Sequence, residues 1–400
     1  MLDSIELFCG AGGLALGLQQ AGFNHKALLE WDKDSCENIK ANIAGGYTNI
    51  QHWNVIQTDV RLVRYNDFGI NVQLVSGGPP CQPFSLGGKH KGRDDHRDMF
   101  PEAVRAVREL RPRVFIFENV KGLLRQSFST YFNYILLQLT YPEIVKKDGM
   151  DWLEHLSQLE KHKTSSSQTG LFYNVVFRSI NAADFGVPQM RHRVVIVGFR
   201  SDLNAEWSFP DQTHSKEQLL ASKYLDQTYW EEHKIAKKLR PTITSREQDR
   251  IRRQLEGKNE FGRWHTVRDA VIGLPDPQDE KAASQFHNHA FRPGAKSYYG
   301  HSGSILDEPS KTIKAGAHGV PGGENTLNLD DGTIRYYTVR ESARIQTFPD
   351  NYVFSGSWTE SMRQIGNAVP VILATEIGKS VKAQLERIDE NGPKGKTTSH

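Results

Sequence analysis

Cysteine is scarce in this chain of 400 residues. Only Cys9, Cys36 and Cys81 are present, too few and too odd in number for a disulfide framework, which fits a reducing compartment. Long apolar runs are missing as well. None approaches the roughly 20 residues that a membrane-spanning helix requires, so no membrane association is expected. The opening residues Met1-Leu2-Asp3-Ser4-Ile5 lack a basic segment followed by an apolar one, so no signal peptide is expected and the protein should be cytoplasmic. No group of Cys and His has metal-ligand spacing, so no metal is expected. The net charge of +3 is too small to argue a nucleic-acid partner by itself. What is present is an ordinary globular composition, 38% hydrophobic and 24% charged, in a chain long enough for two domains or one domain with an insertion.

The first 199 residues alternate apolar strand patterns with helical ones. Ile5–Phe8 reads as a strand, Cys9-Gly10-Ala11-Gly12-Gly13 as a glycine loop, and Leu14–Ala21 as a helix stopped by Gly22. His25–Leu29 is the next strand and ends in Glu30-Trp31-Asp32. This is a βαβ unit. The glycines let backbone approach a ligand, and the 20 positions from Gly10 to Glu30 match the spacing at which an acidic residue meets a ribose hydroxyl. Trp31 could stack on a purine or pack in a core. Asp59, at the end of Val55–Val60, could accept from a purine amino group or cap a helix. Val72–Val75 reads as a buried strand, stopped by Gly77-Gly78-Pro79-Pro80, so Cys81 sits on a stiff loop at a strand's carboxyl end. The segment Gly87–Gly92 that follows is glycine-rich and basic and reads as a mobile loop. Val114–Phe117 is a second continuous apolar strand and brings Glu118 to the same sheet edge. Asn174–Ile180 and Val194–Phe199 are further strands. Arg191 and Arg193, two apart before the last of these, share a face in extended chain and either call for carboxylate or phosphate partners or form a surface pair.

From residue 200 to about 337 the texture becomes irregular, polar and dotted with aromatics. Between Lys234 and Arg268 eleven Lys or Arg stand against four Asp or Glu, with Trp264 and Phe261 interleaved. That run is either a nucleic-acid footprint or a set of solvated helix faces. Helical periodicity returns at Val339–Phe348 and again at Val371–Leu385, after Gly366-Asn367-Ala368-Val369-Pro370.

Taken together these stretches resemble one family, the cytosine-5 DNA methyltransferases of bacterial restriction–modification systems. The resemblance rests on Phe8-Cys9-Gly10-Ala11-Gly12-Gly13, Glu30-Trp31-Asp32, Pro79-Pro80-Cys81-Gln82, Glu118-Asn119-Val120, Gln189-x-Arg191-x-Arg193, Arg340-Glu341-Ser342-Ala343-Arg344 and Gly366-Asn367-Ala368-Val369-Pro370, in that order. It implies an α/β fold, a Rossmann-like mixed sheet of the S-adenosylmethionine-dependent methyltransferase kind, with a smaller irregular target-recognition domain. The implied division is a catalytic and cofactor domain over 1–199, target recognition over 200–337, a hinge over 338–365, a C-terminal helix at 366–388 and a flexible tail at 389–400. S-adenosyl-L-methionine would be the methyl donor, held by Phe8, Gly10, Gly12, Glu30, Trp31, Asp59, Pro80, Asn367 and Val369. Cys81 would be the nucleophile, with Glu118, Arg191 and Arg193 as the other catalytic residues. Ser85, Lys89, Lys91, Arg97 and Thr312 would contact DNA. The implied partner is double-stranded DNA, with a separate cognate endonuclease, and the protein would act as a monomer.

Three other readings compete, one of them a catalytically silent DNA-binding module, against which the intact Pro80-Cys81-Gln82 and Glu118-Asn119-Val120 stretches speak. A tRNA cytosine-5 methyltransferase on the same plan carries a Cys-Phe-Thr tripeptide in the target region, and residues 200–340 here hold no cysteine. A nicotinamide-dependent dehydrogenase explains the first βαβ unit but leaves Cys81, Glu118 and the paired arginines without a use.

Overall fold

The computed structural model describes residues 2–47, 49–69, 71–80, 98–165, 170–256, 260–296, 303–315 and 325–391. Its centre is a seven-stranded sheet in the order β3-β2-β1-β4-β5-β7-β6. The strands are β1 (Leu2–Leu7), β2 (Phe23–Glu30), β3 (Val55–Gln57), β4 (Leu74–Gly77), β5 (Val114–Val120), β6 (Tyr173–Asn181) and β7 (His192–Arg200). β1 to β5 run parallel, and β7 is antiparallel to both neighbours. The order reverses between β1 and β4, the place where an open α/β sheet leaves a crevice at its carboxyl edge.

β5 and β7 are largely apolar on both faces because helices cover both. Phe115 and Phe117 of β5, with Val194 and Ile196 of β7, pack against α3 (Phe100–Leu110) and α4 (Ser129–Thr140). The alternate residues Val114, Ile116, Val195 and Val197 pack with α1 (Gly13–Ala21) and α13 (Val371–Asn391). The period of two therefore assigns one residue set to each layer. The last helix lies directly on the first: a Cβ on Gly17 would come 2.4 Å from the Ala374 Cβ. The remaining helix of the first half, α2 (Lys33–Ala44), starts at Asp32, whose side chain accepts from Ser35 N. One further helix, α5 (Trp152–Thr164), packs on α4 through Tyr134, Leu137, Leu156 and Leu159.

Residues 200–337 hold short elements: β8 (His214–Ser215) beside β9 (Gly262–Arg263), α6 (Lys216–Tyr224), α7 (Thr228–Glu232), α8 (Ser245–Leu255), α9 (Val267–Val271), α10 (Glu280–Ala283), and a small sheet of β10 (Ser304–Ile305), β11 (Thr326–Asn328) and β12 (Ile334–Tyr336). The chain then returns through α11 (Val339–Ile345) and α12 (Trp358–Asn367). These two share a buried cluster with the first βαβ unit, in which Ile345, Phe348, Tyr352 and Ile365 meet Ala15, Ile39 and Trp53. None of the described helices is long and apolar enough to cross a membrane.

The sequence reading placed most elements within a few residues. Two differ. Glu118 lies inside β5 rather than after it, since that strand stays paired with β7 as far as Val120. The stretch at Val55–Val60 is strand only to Gln57 and then turns into a 3-10 turn over Val60–Leu62, because Asp59 caps it through Arg61 N at 3.0 Å.

Candidate active site

The carboxyl ends of β1, β2, β4 and β5 open into one cavity of about 390 Å³, within the range of small-ligand sites. On one side it is lined by Phe8, Gly10, Glu30, Trp31 and Asp32, and on another by Gly78, Pro79, Pro80, Glu118, Asn119 and Arg193. Residues of α12 and the loop after it, Arg363, Gln364, Gly366, Asn367, Ala368 and Val369, close it.

The first wall is built by backbone that only a few residues tolerate. Phe8, Gly10 and Gly12 all have positive φ, at 55°, 51° and 80°. This turns the loop so that Gly10 N donates to Glu30 Oε2 at 2.8 Å, while Trp31 N and Asp32 N donate to Glu30 Oε1 at 2.9 Å. Three backbone N–H groups thus aim the Glu30 carboxylate. Burial pushes its pKa up against the opposing pull of those hydrogen bonds. Trp31 leaves its indole 73% exposed at the rim, so it is no core residue. Beneath the loop, Glu6 is fully buried. Its Oε2 accepts from Ser76 Oγ at 3.0 Å, its Oε1 has no partner within hydrogen-bond geometry among the described residues, and burial raises its pKa to about 8. Gly12 shapes the loop as the left-handed cap of α1 without lining the cavity.

The opposite wall pairs an acid with a base. Arg193 Nε lies 2.6 Å from Glu118 Oε1, and both side chains are about nine-tenths buried, at 11% exposure each. Burial lowers the pKa of Arg193, and the Glu118 charge counters it. Asn119 Nδ2 donates to the Pro79 carbonyl at 2.9 Å, and Met99 N donates to the Pro80 carbonyl at 3.0 Å. These two bonds tie the proline pair to β5 and to the start of α3, so the exit of the chain towards Cys81 has a set position. Cys81, with Ser85, Lys89, Lys91 and Arg97, lies outside the described residues.

One sequence expectation changes here, and two other residues take partners within the chain. Arg191 does not line the cavity and has no ion pair among the described residues. Fully buried, it donates to the carbonyls of Ile313 at 3.2 Å, Gly366 at 2.6 Å and Ala368 at 3.0 Å. It is a positioning residue that fixes the Gly366–Ala368 loop behind Asn367 and Val369, and Gln189 and Gln346 extend the same network. Asp59 stands outside the lining and pairs with the Arg61 guanidinium. Thr312 donates its Oγ1 to the Met190 carbonyl at 2.8 Å. Asn119, Asp32, Arg363 and Glu6 were not singled out from sequence. Arg363 Nη2 donates to Asp32 Oδ1 at 2.7 Å across 331 residues, a pairing no local pattern announces. Among the described residues, Glu232, His233 and Asp269 are close enough together to hold a cation. The Arg263 guanidinium already occupies that place, 2.7 Å from Asp269 and 2.8 Å from Glu232.

Comparison with known proteins meets this geometry. The family described as C-5 cytosine-specific DNA methylase matches residues 2–141 and 151–383. The chain is 33% identical over 382 residues to the type II methyltransferase M.PspPI of Psychrobacter sp. (strain TA137), covering 94% of this chain and 78% of that one. It is 28% identical over 393 residues to the type II methyltransferase M.NgoMIV of Neisseria gonorrhoeae, covering 96% of this chain and 98% of that one. In fold it resembles the Dnmt2 methyltransferase of S. pombe, with a TM-score of 0.56 at 17% identity over 97% of this chain and all of that one. A sheet reversing at β1 and β4, a carboxylate and exposed indole on one wall, an acid–arginine pair on the other, and a match over nearly the whole length place this chain in the C-5 cytosine-specific DNA methylase family.

Proposed function

We propose that the chain is a site-specific DNA cytosine-5 methyltransferase. It moves a methyl group from S-adenosylmethionine to C5 of a cytosine flipped out of double-stranded DNA, through a covalent bond between Cys81 Sγ and C6. The observation that carries this reading is the Glu118–Arg193 pair facing Glu30 and Trp31 across one cavity whose lining includes Pro80, the residue before Cys81 in the chain. The cavity fits the cofactor: an exposed indole suits adenine, a carboxylate held by backbone suits ribose hydroxyls, and the unpartnered Glu6 Oε1 marks an unmet polar group at its floor. Phe8 flanks the adenine opposite Trp31, and Gly10, Gly12, Pro80, Asn367 and Val369 shape the rest. Asp59 takes the adenine amino group by exchanging part of its pairing with Arg61.

S-adenosylmethionine supplies an electrophilic methyl on a sulfonium. Cytosine C5 is a poor nucleophile until a thiolate adds at C6, and cysteine suits that step because it attacks well and leaves well. The Cys81 sulfur forms a bond to C6, and the electron pair of the C5–C6 double bond becomes available at C5. Glu118 hydrogen-bonds N3 and the exocyclic amine and shares a proton there, which offsets the charge developing on the ring. Arg193 holds the base carbonyl and keeps Glu118 oriented. Loss of the C5 proton to water then re-forms the double bond and expels Cys81. Because C5 lies inside the duplex stack, the base has to leave it first. Ser85, Lys89, Lys91, Arg97 and Thr312 contact the DNA, and residues 200–337 form the target-recognition domain, 338–365 a hinge, and 366–388 the helix completing the catalytic domain. We read the protein as a cytoplasmic monomer, needing no metal, that protects host DNA from a separate cognate endonuclease.

A duplex carrying 5-fluorocytosine at the target tests this, since fluorine at C5 cannot leave as a proton. The wild-type chain should give a complex that survives denaturing electrophoresis, and Cys81→Ala should give none while still binding duplex. A wild type without a trapped complex on a site mapped by bisulfite sequencing would refute the thiolate step.

A further inference from the structure

The seven arginines of the basic run from Lys234 to Arg268 divide into two sets. Arg263 pairs with Asp269 and Glu232, and Arg268 pairs with Asp307 at 2.6 Å and Asp330 at 2.9 Å. Arg240 is held by the Gln227 side chain and the Ile235 carbonyl, and Arg252 by Asp249 at 2.8 Å. Those four cations serve the fold. On α8, Arg246 and Arg250 are exposed and have no ion pair among the described residues, and Arg253 reaches only the Asp249 carbonyl of its own helix at 3.3 Å.

Positions 246, 250 and 253 are spaced by four and three, so they form one stripe along the helix. Ile251, the helix's one fully buried residue, and the half-buried Gln248 and Leu255 lie on the opposite face, where α8 meets α6. The two carboxylates of the helix are taken up in part elsewhere: Glu247 closes the capping box with Thr244 while also feeling the Arg250 charge, and Asp249 pairs with Arg252, which leaves three arginines against at most one partly shared carboxylate. At 1.5 Å per residue the stripe extends about 10 Å, a length over which one strand of B-DNA presents about three phosphates. The surrounding layer also leans on the cavity edge. Trp264 Nε1 donates to Asp184 at 3.0 Å and Met190 N to the Ser310 carbonyl at 2.8 Å. Asp184 and Met190 belong to the β6–β7 connection, which leads into β7, where Arg193 pairs with Val120 two residues after Glu118.

We propose that the Arg246–Arg250–Arg253 stripe of α8 is a phosphate-gripping surface that holds the substrate duplex without reading its sequence. This rests on the methyltransferase reading above and adds to it which cations of the middle region meet DNA. The test uses the full chain, with the triple variant Arg246→Gln, Arg250→Gln and Arg253→Gln. Duplex affinity is followed by fluorescence anisotropy across a sodium chloride series, on one duplex with the methylated site and one without. Losing three phosphate contacts should make the slope of log K against log salt shallower by about 2.7 on both duplexes. The triple lysine variant should retain the wild-type slope, and so should Arg252→Gln. Unchanged cofactor affinity by calorimetry shows the variant is folded. A wild-type slope in the glutamine variant would overturn the proposal. So would a loss confined to the site-bearing duplex, which would make α8 a reader of bases. A wild type that transfers no methyl group to DNA would instead sink the functional reading itself.

Discussion

Replacing Glu6 with glutamine removes the ionisable group beneath the cavity and should change how stability depends on pH. In the folded chain burial raises the carboxyl's pKa to about 8, against an ordinary value of 4.5, because burial disfavours the charged form more than the Ser76 hydroxyl and the Ala15 backbone N–H favour it. Below pH 4.5 both states carry the proton and Glu6 makes no difference. Between pH 4.5 and 8 the unfolded chain releases the proton while the folded chain keeps it, so stability falls as pH rises. At 1.36 kcal/mol per pH unit, the loss across that window is about 5 kcal/mol. Glutamine keeps the shape and can still accept from Ser76. Urea unfolding of both proteins, followed by circular dichroism between about pH 5 and pH 7.5 without cofactor, should show the variant gaining about 3 kcal/mol on the wild type. His25 acts in the other direction: burial lowers its pKa to about 4, so stability is lost as pH falls from 6.5 towards 4. That contribution is common to both proteins and cancels in the difference. A stability difference that stays constant across the range would refute a Glu6 that is neutral in the folded state.

Gly17→Ala should destabilise the chain although alanine is the better helix former by about 1 kcal/mol. Its Cβ would stand 2.4 Å from the Ala374 Cβ and 2.5 Å from the Val371 carbonyl, an overpacking that costs roughly 1–3 kcal/mol, readable as a lower denaturation midpoint. Asn119→Ala should lower kcat about tenfold or more while cofactor affinity, by calorimetry, stays put, because it frees the Pro79 carbonyl that leads to Cys81 rather than the first wall. Trp31→Ala should weaken cofactor binding by roughly tenfold and leave duplex affinity unchanged, the size expected for a stacked exposed ring. Equal losses in both titrations would speak against stacking.

Much of the fold and part of the site were legible because the signals are local. Continuous apolar runs at Val114–Phe117 and Val194–Phe199 announce strands buried on both faces, and the glycines after β1 announce backbone that must turn sharply. Glu30 was legible by its distance from Gly10, and Glu118 by standing at the end of an apolar run. Arg191 and Arg193 show where local reading ends. They are the same residue type, two positions apart, yet one pairs with a carboxylate in the cavity and the other holds three carbonyls up to 177 residues away. The basic middle run divides in the same way, since the carboxylates that take up Arg268, Asp307 and Asp330, are 39 and 62 residues further along. Sequence determined which chemistry was available: a thiol, two carboxylates at strand ends and a set of arginines. Tertiary structure decided which copies of that chemistry face the cavity and which serve the fold. The physical reason is that a buried charge must find a partner, and the partner's place is set by how distant segments pack rather than by neighbours in the chain.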